Sequence, residues 1–338
     1  MSFRVRFFVS ILAILAISPS SFACDLCALH GAMSVQEMSE GFFRLGVTEQ
    51  YTRFEDIQFN GKDVSNPLSQ NLDSSFTQIY TEYNFSDRFG LQLNVPLIFR
   101  SFRRPLEDGR IEKGEEQGVG DIAIIAKYAP VNHKANDFFF YWQLVSGLKI
   151  PSGDSSRLRE ETDPDHGHDS EGDSESSPGL SSAIHGHDLA LGTGSFDFVI
   201  GSAALLQKDR FFASSAIQYF LRTEGDFNYE FADDLHWHFS SGAYAYLDHR
   251  VSLSIAARLS GEFKDKDRFE GAAVEDTRIT SLSLGPELQL TVGDQLSFGV
   301  LFELPLEQEA SSLQIVPSHR IIGHLSYKFK PVFTNRDK

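Results

Sequence analysis

The sequence predicts an all-β protein: a transmembrane up-and-down antiparallel β-barrel of outer-membrane type, with about 12 strands. Three observations carry this. Residues 75–99 form a hairpin whose second arm puts Phe89, Leu91, Leu93, Val95, Leu97 and Phe99 on one face, with Gly90, Gln92, Asn94 and Pro96 between them. Successive strand side chains point to opposite faces, so one side is wholly apolar, as lipid outside and water inside require. Segments of this kind recur, and their connections alternate: short after strands two, four, six, eight and ten, long and polar after the odd-numbered strands. Finally, an export signal is followed by no apolar window long enough for a helical span, which leaves the barrel itself as the membrane element.

In chain order, Arg4 and Arg6 precede an apolar run over 7–17, and Ser21-Phe22-Ala23 offers a small-x-small cleavage point, so residues 1–23 read as a secretory signal peptide. Residues 24–40 are a periplasmic lead-in containing a C-x-x-C pair, 41–330 are the barrel, and 331–338 are a tail. Strand one spans 42–53, with Phe43, Leu45, Val47 and Tyr51 outward and Arg44, Thr48, Gln50 and Thr52 inward. Strands two and three are the hairpin, joined by Ser86-Asp87-Arg88. Strand four spans 118–128 after a polar loop, and residues 130–136 turn into strand five, which ends at Ile150 before Pro151. The longest loop, 151–191, follows. Strands six to eleven cover 194–206, 211–222, 235–247, 251–263, 279–292 and 296–306, and strand twelve ends at Phe329. That aromatic end is similar to the insertion signal of outer-membrane proteins, so the barrel-assembly machinery is an expected partner. Short periplasmic turns and long outer loops would leave both termini periplasmic.

Composition agrees. There are 30 Phe, 10 Tyr and 26 Gly against 3 Met, a profile suited to strands with aromatic girdles. A net charge of -17 argues against nucleic acid as a partner. Two cysteines provide no disulfide framework for the body.

Several phrases in order resemble one family, the outer-membrane "transporter" barrels catalogued under a MetA-pathway of phenol degradation. They are Phe89-Gly90-Leu91 through Val95-Pro96-Leu97, Gly118-Val119-Gly120-Asp121 with Lys127-Tyr128, and Gly147 through Asp154. Leu191-Gly192-Thr193-Gly194-Ser195, Leu284 through Leu288 and the strand end at Pro305 follow. The resemblance covers about 75–330 and implies a channel related to those for hydrophobic compounds. It brings no catalytic residues.

Three places carry possible chemistry. In the long loop, a His-Gly-His-Asp tetrad occurs twice: His166, His168 and Asp169, then His185, His187 and Asp188. Imidazoles beside carboxylates suit Zn²⁺, Cu²⁺ or Ni²⁺, and an outward loop of this kind would gather divalent cations at the pore mouth. A solvated acidic loop without a defined site is the plainer reading. In the lead-in, Cys24 and Cys27 with His30 would ligate a soft metal, or the cysteines would form a disulfide; lipidation of Cys24 is a lesser alternative. The third place is the lumen. Alternation points Arg44, Glu82, Lys127, Lys149, Asp197, Arg222, His236, His238, Arg258, Glu287, Glu303, Arg320 and His324 inward, lining either a wet channel or the packed interior of a closed barrel.

No nucleophile elbow and no lipid-facing histidine stand out, so no enzyme is expected. The expected function is a passive outer-membrane channel needing no cofactor, in contact with lipid and a small solute: hydrophobic or aromatic compounds by resemblance, or divalent metal ions. The alternative is a metal-binding or metal-sensing surface protein that uses the barrel as its anchor.

Overall fold

The computed structural model describes residues 37–106, 108–162 and 180–331. The signal segment, the lead-in residues Cys24, Cys27 and His30, the tail beyond 331, and His166, His168 and Asp169 lie outside the described residues. The long strands are β1 (Phe43–Phe59), β2 (Asn71–Asn84), β3 (Phe89–Pro105), β4 (Ile122–Lys134), β5 (Phe138–Ile150) and β6 (Asp197–Lys208). They continue with β7 (Phe211–Leu221), β8 (Asp234–Leu247), β9 (Val251–Lys264), β10 (Ile279–Val292), β11 (Leu296–Ala310) and β12 (Leu313–Phe329). Each pairs antiparallel with its chain neighbours, and β12 returns to β1, from Phe43 opposite Phe329 to Phe59 opposite Leu313. Closure gives each of the twelve long strands a partner on both sides, which is what allows a sheet to stand in hydrocarbon.

The outer face is apolar because alternate residues are. Leu45, Ile79, Leu91, Leu93, Leu97, Ile124, Ile200, Ile255, Leu288, Val300 and Leu325 are all exposed. At the end carrying the short turns, Phe43 stacks on Phe329 and lies tilted against Tyr83, Tyr83 meets Phe85 edge to face, and Phe85 lies tilted against Phe89. This is an aromatic girdle at one rim of the belt.

Several boundaries differ from the sequence reading. The connection after β11 is only Ser311-Ser312, not a long polar loop, because past the apolar belt β11 stays paired with β10 as far as Ala310 and β12 with β1 from Leu313. The ladder's hydrogen bonds do not depend on side-chain polarity, so strands outrun the hydrophobic pattern used to delimit them. β1 likewise continues to Phe59 and turns through Asn60-Gly61, both at positive φ, into a short strand Lys62–Val64; Asn-Gly suits this tight turn. The segment 118–128 is not one strand. Ile111–Val119 pairs with β3, the chain breaks at Gly120-Asp121, and β4 begins at Ile122. The segment 130–136 is not a turn either: β4 runs to Lys134 through a bulge after Tyr128, and the turn to β5 is residues 135–137.

The outer face also carries residues the pattern did not assign. Glu49, opposite Thr77 on β2 and Gly323 on β12, points outward in mid-strand. It accepts hydrogen bonds from Ser75 Oγ (2.5 Å) and Thr77 Oγ1. His319 is on the outer face as well, with its ring 6.2 Å from Tyr51 and 6.1 Å from Phe302. A register irregularity between Arg53 and Asp56 shifts its strand past β1 there.

Candidate functional site

The inner face divides into two halves. On β1 to β7 it is filled. Glu82 is 1% exposed, held between Arg44 Nη1 at 2.9 Å and Lys127 Nζ at 2.8 Å. Gly46 leaves space that the Tyr80 ring fills. Farther toward the loop end, Ala123, Ile125, Val145, Val199, Ala203, Ala216 and Phe220 form an apolar cluster inside the barrel.

A chain of ion pairs crosses from this half to the other. Lys149 Nζ meets Asp121 Oδ2 (2.6 Å) and Asp197 Oδ2 (2.7 Å). Arg222 bridges Asp197 (2.8 Å) and Asp234 (2.6 Å), and His236 lies 3.0 Å from Asp234 and 3.7 Å from Glu262. Arg320 reaches Glu262 (2.8 Å) and Glu303 (3.7 Å). Buried charges need such partners, because a lone ion in a low-dielectric interior is costly.

The remaining inward groups are less enclosed. Arg258 and Glu287, 2.7 Å apart, keep 17% and 16% of their side-chain surface exposed, and His238 and His324 are half-buried. His324 Nε2 is buried without a hydrogen-bond partner, and Gly299 leaves room for its ring. Water therefore reaches the inner face chiefly along β8, β9, β10 and β12.

Both ends of the bore are narrowed by the chain itself. At the turn end, Met38 is buried against Ala129 and Tyr141, and Glu37 Oε1 takes Lys134 Nζ at 2.6 Å and Asn132 Nδ2 at 3.1 Å. At the loop end, the second arm of the long loop folds inward. Ala183, Ile184 and Leu189 pack against Phe54 and Ile57 of β1, Leu72 of β2, Phe102 of β3 and Ile315 of β12; Leu191 packs on Phe76 and Ile98. Burying Ile184 and Leu189 contributes roughly 1.5–3 kcal/mol each. Backbone bonds fix the segment: Gln70 Nε2 donates to Ser181 O (2.8 Å), Ala183 N to Gln70 Oε1 (2.9 Å) and Ile315 N to Ala183 O (3.0 Å). Arg100 Nη1 donates to Asp188 O (2.5 Å) and Ala190 O (2.8 Å). The reading of the whole loop as an outward acidic arm is therefore corrected over 180–191. Its apolar residues supply the driving force, and its acidic stretch drew attention away from them.

The inward fold brings one tetrad together. A one-turn helix, Gly186–Leu189, rests on a 3-10 turn at Ser156–Thr162. A Cβ at Gly186 would fall 2.3 Å from Arg157 O, so only glycine fits there. His187, 6% exposed, donates Nδ1–H to Glu161 Oε1 (3.0 Å), whose same oxygen takes the His187 backbone N–H (2.9 Å). Its Nε2 faces Asp188 Oδ1 at 3.5 Å. Its ring stacks between His185, at 5.5 Å, and Tyr229, at 6.3 Å. His185 Nδ1 lies 3.1 Å from Asp276 Oδ2, of the β9–β10 loop. Burial disfavours a charged ring at His187, but the Asp188 and Glu161 carboxylates outweigh it and raise its pKa to about 10. Burial pushes the Glu161 carboxyl the other way from its neighbours; the imidazoles of His187 and His185 win and hold it well below the usual carboxylate range. Glu161 and Asp276 were not singled out from the sequence, because neither belongs to a tetrad.

No family model matches this chain, and no curated protein matches it. Among solved structures it is similar to the COG4313 outer membrane channel from Pseudomonas putida F1, with 15% identity and a TM-score of 0.62, covering 88% of this chain and 98% of that one. The β domain of the Bordetella autotransporter BrkA aligns at 12% identity and TM-score 0.41, over 86% and 100%. With the geometry above, the first likeness establishes the fold: a closed, twelve-stranded antiparallel β-barrel of outer-membrane type.

Proposed function

We propose that this chain is an outer-membrane channel for passive passage of small solutes, narrowed at both mouths by its own segments. The observation that carries this is the split inner face. A barrel that served only as an anchor has no need of a wall where Arg258, Glu287, His238 and His324 keep contact with water while the opposite half is filled. The Pseudomonas putida barrel is named as a channel, which favours the same reading. The long loops would face outward and both termini the periplasm. Small hydrophobic or aromatic compounds are the favoured solutes, from the resemblance of the hairpin phrases.

Planar-bilayer recording tests this. The wild-type barrel should give small, discrete conductance steps, and a form with 180–190 replaced by a glycine-serine bridge should give larger ones, while far-ultraviolet circular dichroism and heat-modifiable gel migration verify folding. Folded barrels that seal the membrane in both forms would overturn the proposal.

A further inference from the structure

We infer that His185, His187, Asp188 and Asp276 form a site for one divalent transition-metal ion, Zn²⁺ by donor chemistry, which fastens the inward plug to the β9–β10 loop. The ligand atoms of His185, His187 and Asp188 already lie within 4.8 Å of one another. Atoms bound to one tetrahedral ion at about 2.0–2.2 Å sit about 3.4 Å apart, so closing the set takes a contraction of at most about 1.4 Å, supplied by rotation of the half-buried His185 ring and the Asp188 side chain about a His187 that Glu161 holds in place. Asp276 Oδ2, 3.1 Å from His185 Nδ1, is at the separation of two ligands on a common ion.

Two further observations point to a cation. His185 Nδ1 is buried with only the Asp276 carboxylate close to it, 3.1 Å away but outside hydrogen-bond geometry, and Asp276 Oδ1 is buried without a hydrogen-bond partner. Moreover, Glu161 accepts the Nδ1–H of His187 and thereby fixes the tautomer that turns Nε2 toward Asp188. A carboxylate behind a histidine in this way is the usual support of a metal-ligating imidazole. Two nitrogens and two carboxylate oxygens suit Zn²⁺ better than Ca²⁺ or Mg²⁺, which prefer oxygen alone.

The placement gives the ion a task. His185 to Asp188 belong to the plug, Asp276 to the β9–β10 loop, and the supporting Glu161 to the loop's first arm. One ion would tie these segments across the mouth. The latch rests on the channel reading; the site itself does not.

Zn²⁺ titration into the full-length barrel in detergent, followed by calorimetry, tests the site. Wild type should bind one equivalent tightly, and a His166→Gln/His168→Gln variant should retain it. His185→Gln/Asp276→Asn should lose at least tenfold in affinity. Glu161→Gln, which keeps every ligand atom, should lose 10- to 100-fold. Equal, weak binding by wild type and His185→Gln/Asp276→Asn would overturn the site. In bilayers, Zn²⁺ should reduce wild-type conductance, reversed by a chelator, and leave His185→Gln/Asp276→Asn unchanged. Tight binding with no effect on an existing conductance would overturn the latch. Tight binding with no conductance from any form would overturn the channel reading and leave the site standing.

Discussion

Lys149 Nζ lies 2.7 Å from Asp197 Oδ2 where the last register pair of β5 and β6 closes the base of the long loop. The same ammonium meets Asp121 Oδ2 at 2.6 Å, and Asp121 in turn takes the backbone N–H groups of Ser152, Gly153 and Thr193. One lysine therefore joins both stems of the loop to the turn before β4. Lys149→Met leaves two buried carboxylates without their ammonium and should cost about 3–5 kcal/mol. The measurement is the temperature at which the folded gel band is lost, together with the rate of protease cleavage within 151–196. An unchanged midpoint would show that the pairs contribute little.

Arg100 is buried on β3 and donates to the carbonyls of Asp188 and Ala190. Arg100→Ala removes this clamp on the plug's backbone without touching its apolar contacts. Conductance should rise severalfold over wild type, short of the level reached when 180–190 is replaced. Recordings indistinguishable from wild type would mean that Ile184 and Leu189 alone hold the segment.

The Arg258–Glu287 pair on the wetter wall should set charge selectivity. Arg258→Gln leaves the wall more negative and should move the reversal potential in a salt gradient toward cations. Glu287→Gln should move it toward anions. Both shifts should shrink as ionic strength rises, because exposed charges are screened within about 10 Å at 0.1 M. Identical reversal potentials for the two variants would place the permeation path elsewhere.

Glu49 stands on the outer face in mid-strand, with Ser75 and Thr77 as its donors. A carboxylate facing hydrocarbon is destabilising. Replacing it by leucine should raise unfolding stability in lipid vesicles by up to about 2 kcal/mol. A loss instead would show that the three residues meet something other than lipid.

The outer belt and the strand order were legible in the sequence because both are local. Phe89, Leu91 and Leu93 declare their shared face by spacing alone, whatever the rest of the chain does. Strand ends were less legible. Ladder bonds persist past the belt in β11 and β12, where Glu307 to Ala310 carry no apolar signature. Conversely, the residues 118–128 read as one strand although Gly120-Asp121 divides two.

The sequence by itself determined the barrel, the face on which its strands present their apolar residues, and the spacing of the two tetrads. Only the tertiary structure decided that Ile184 and Leu189 lie inside the wall, that Glu161 backs His187, and that Asp276 reaches His185. The difference has one cause. Strand alternation is set by neighbours along the chain, whereas the plug is set by contacts among β1, β2, β3 and β12, which meet only when the ring closes.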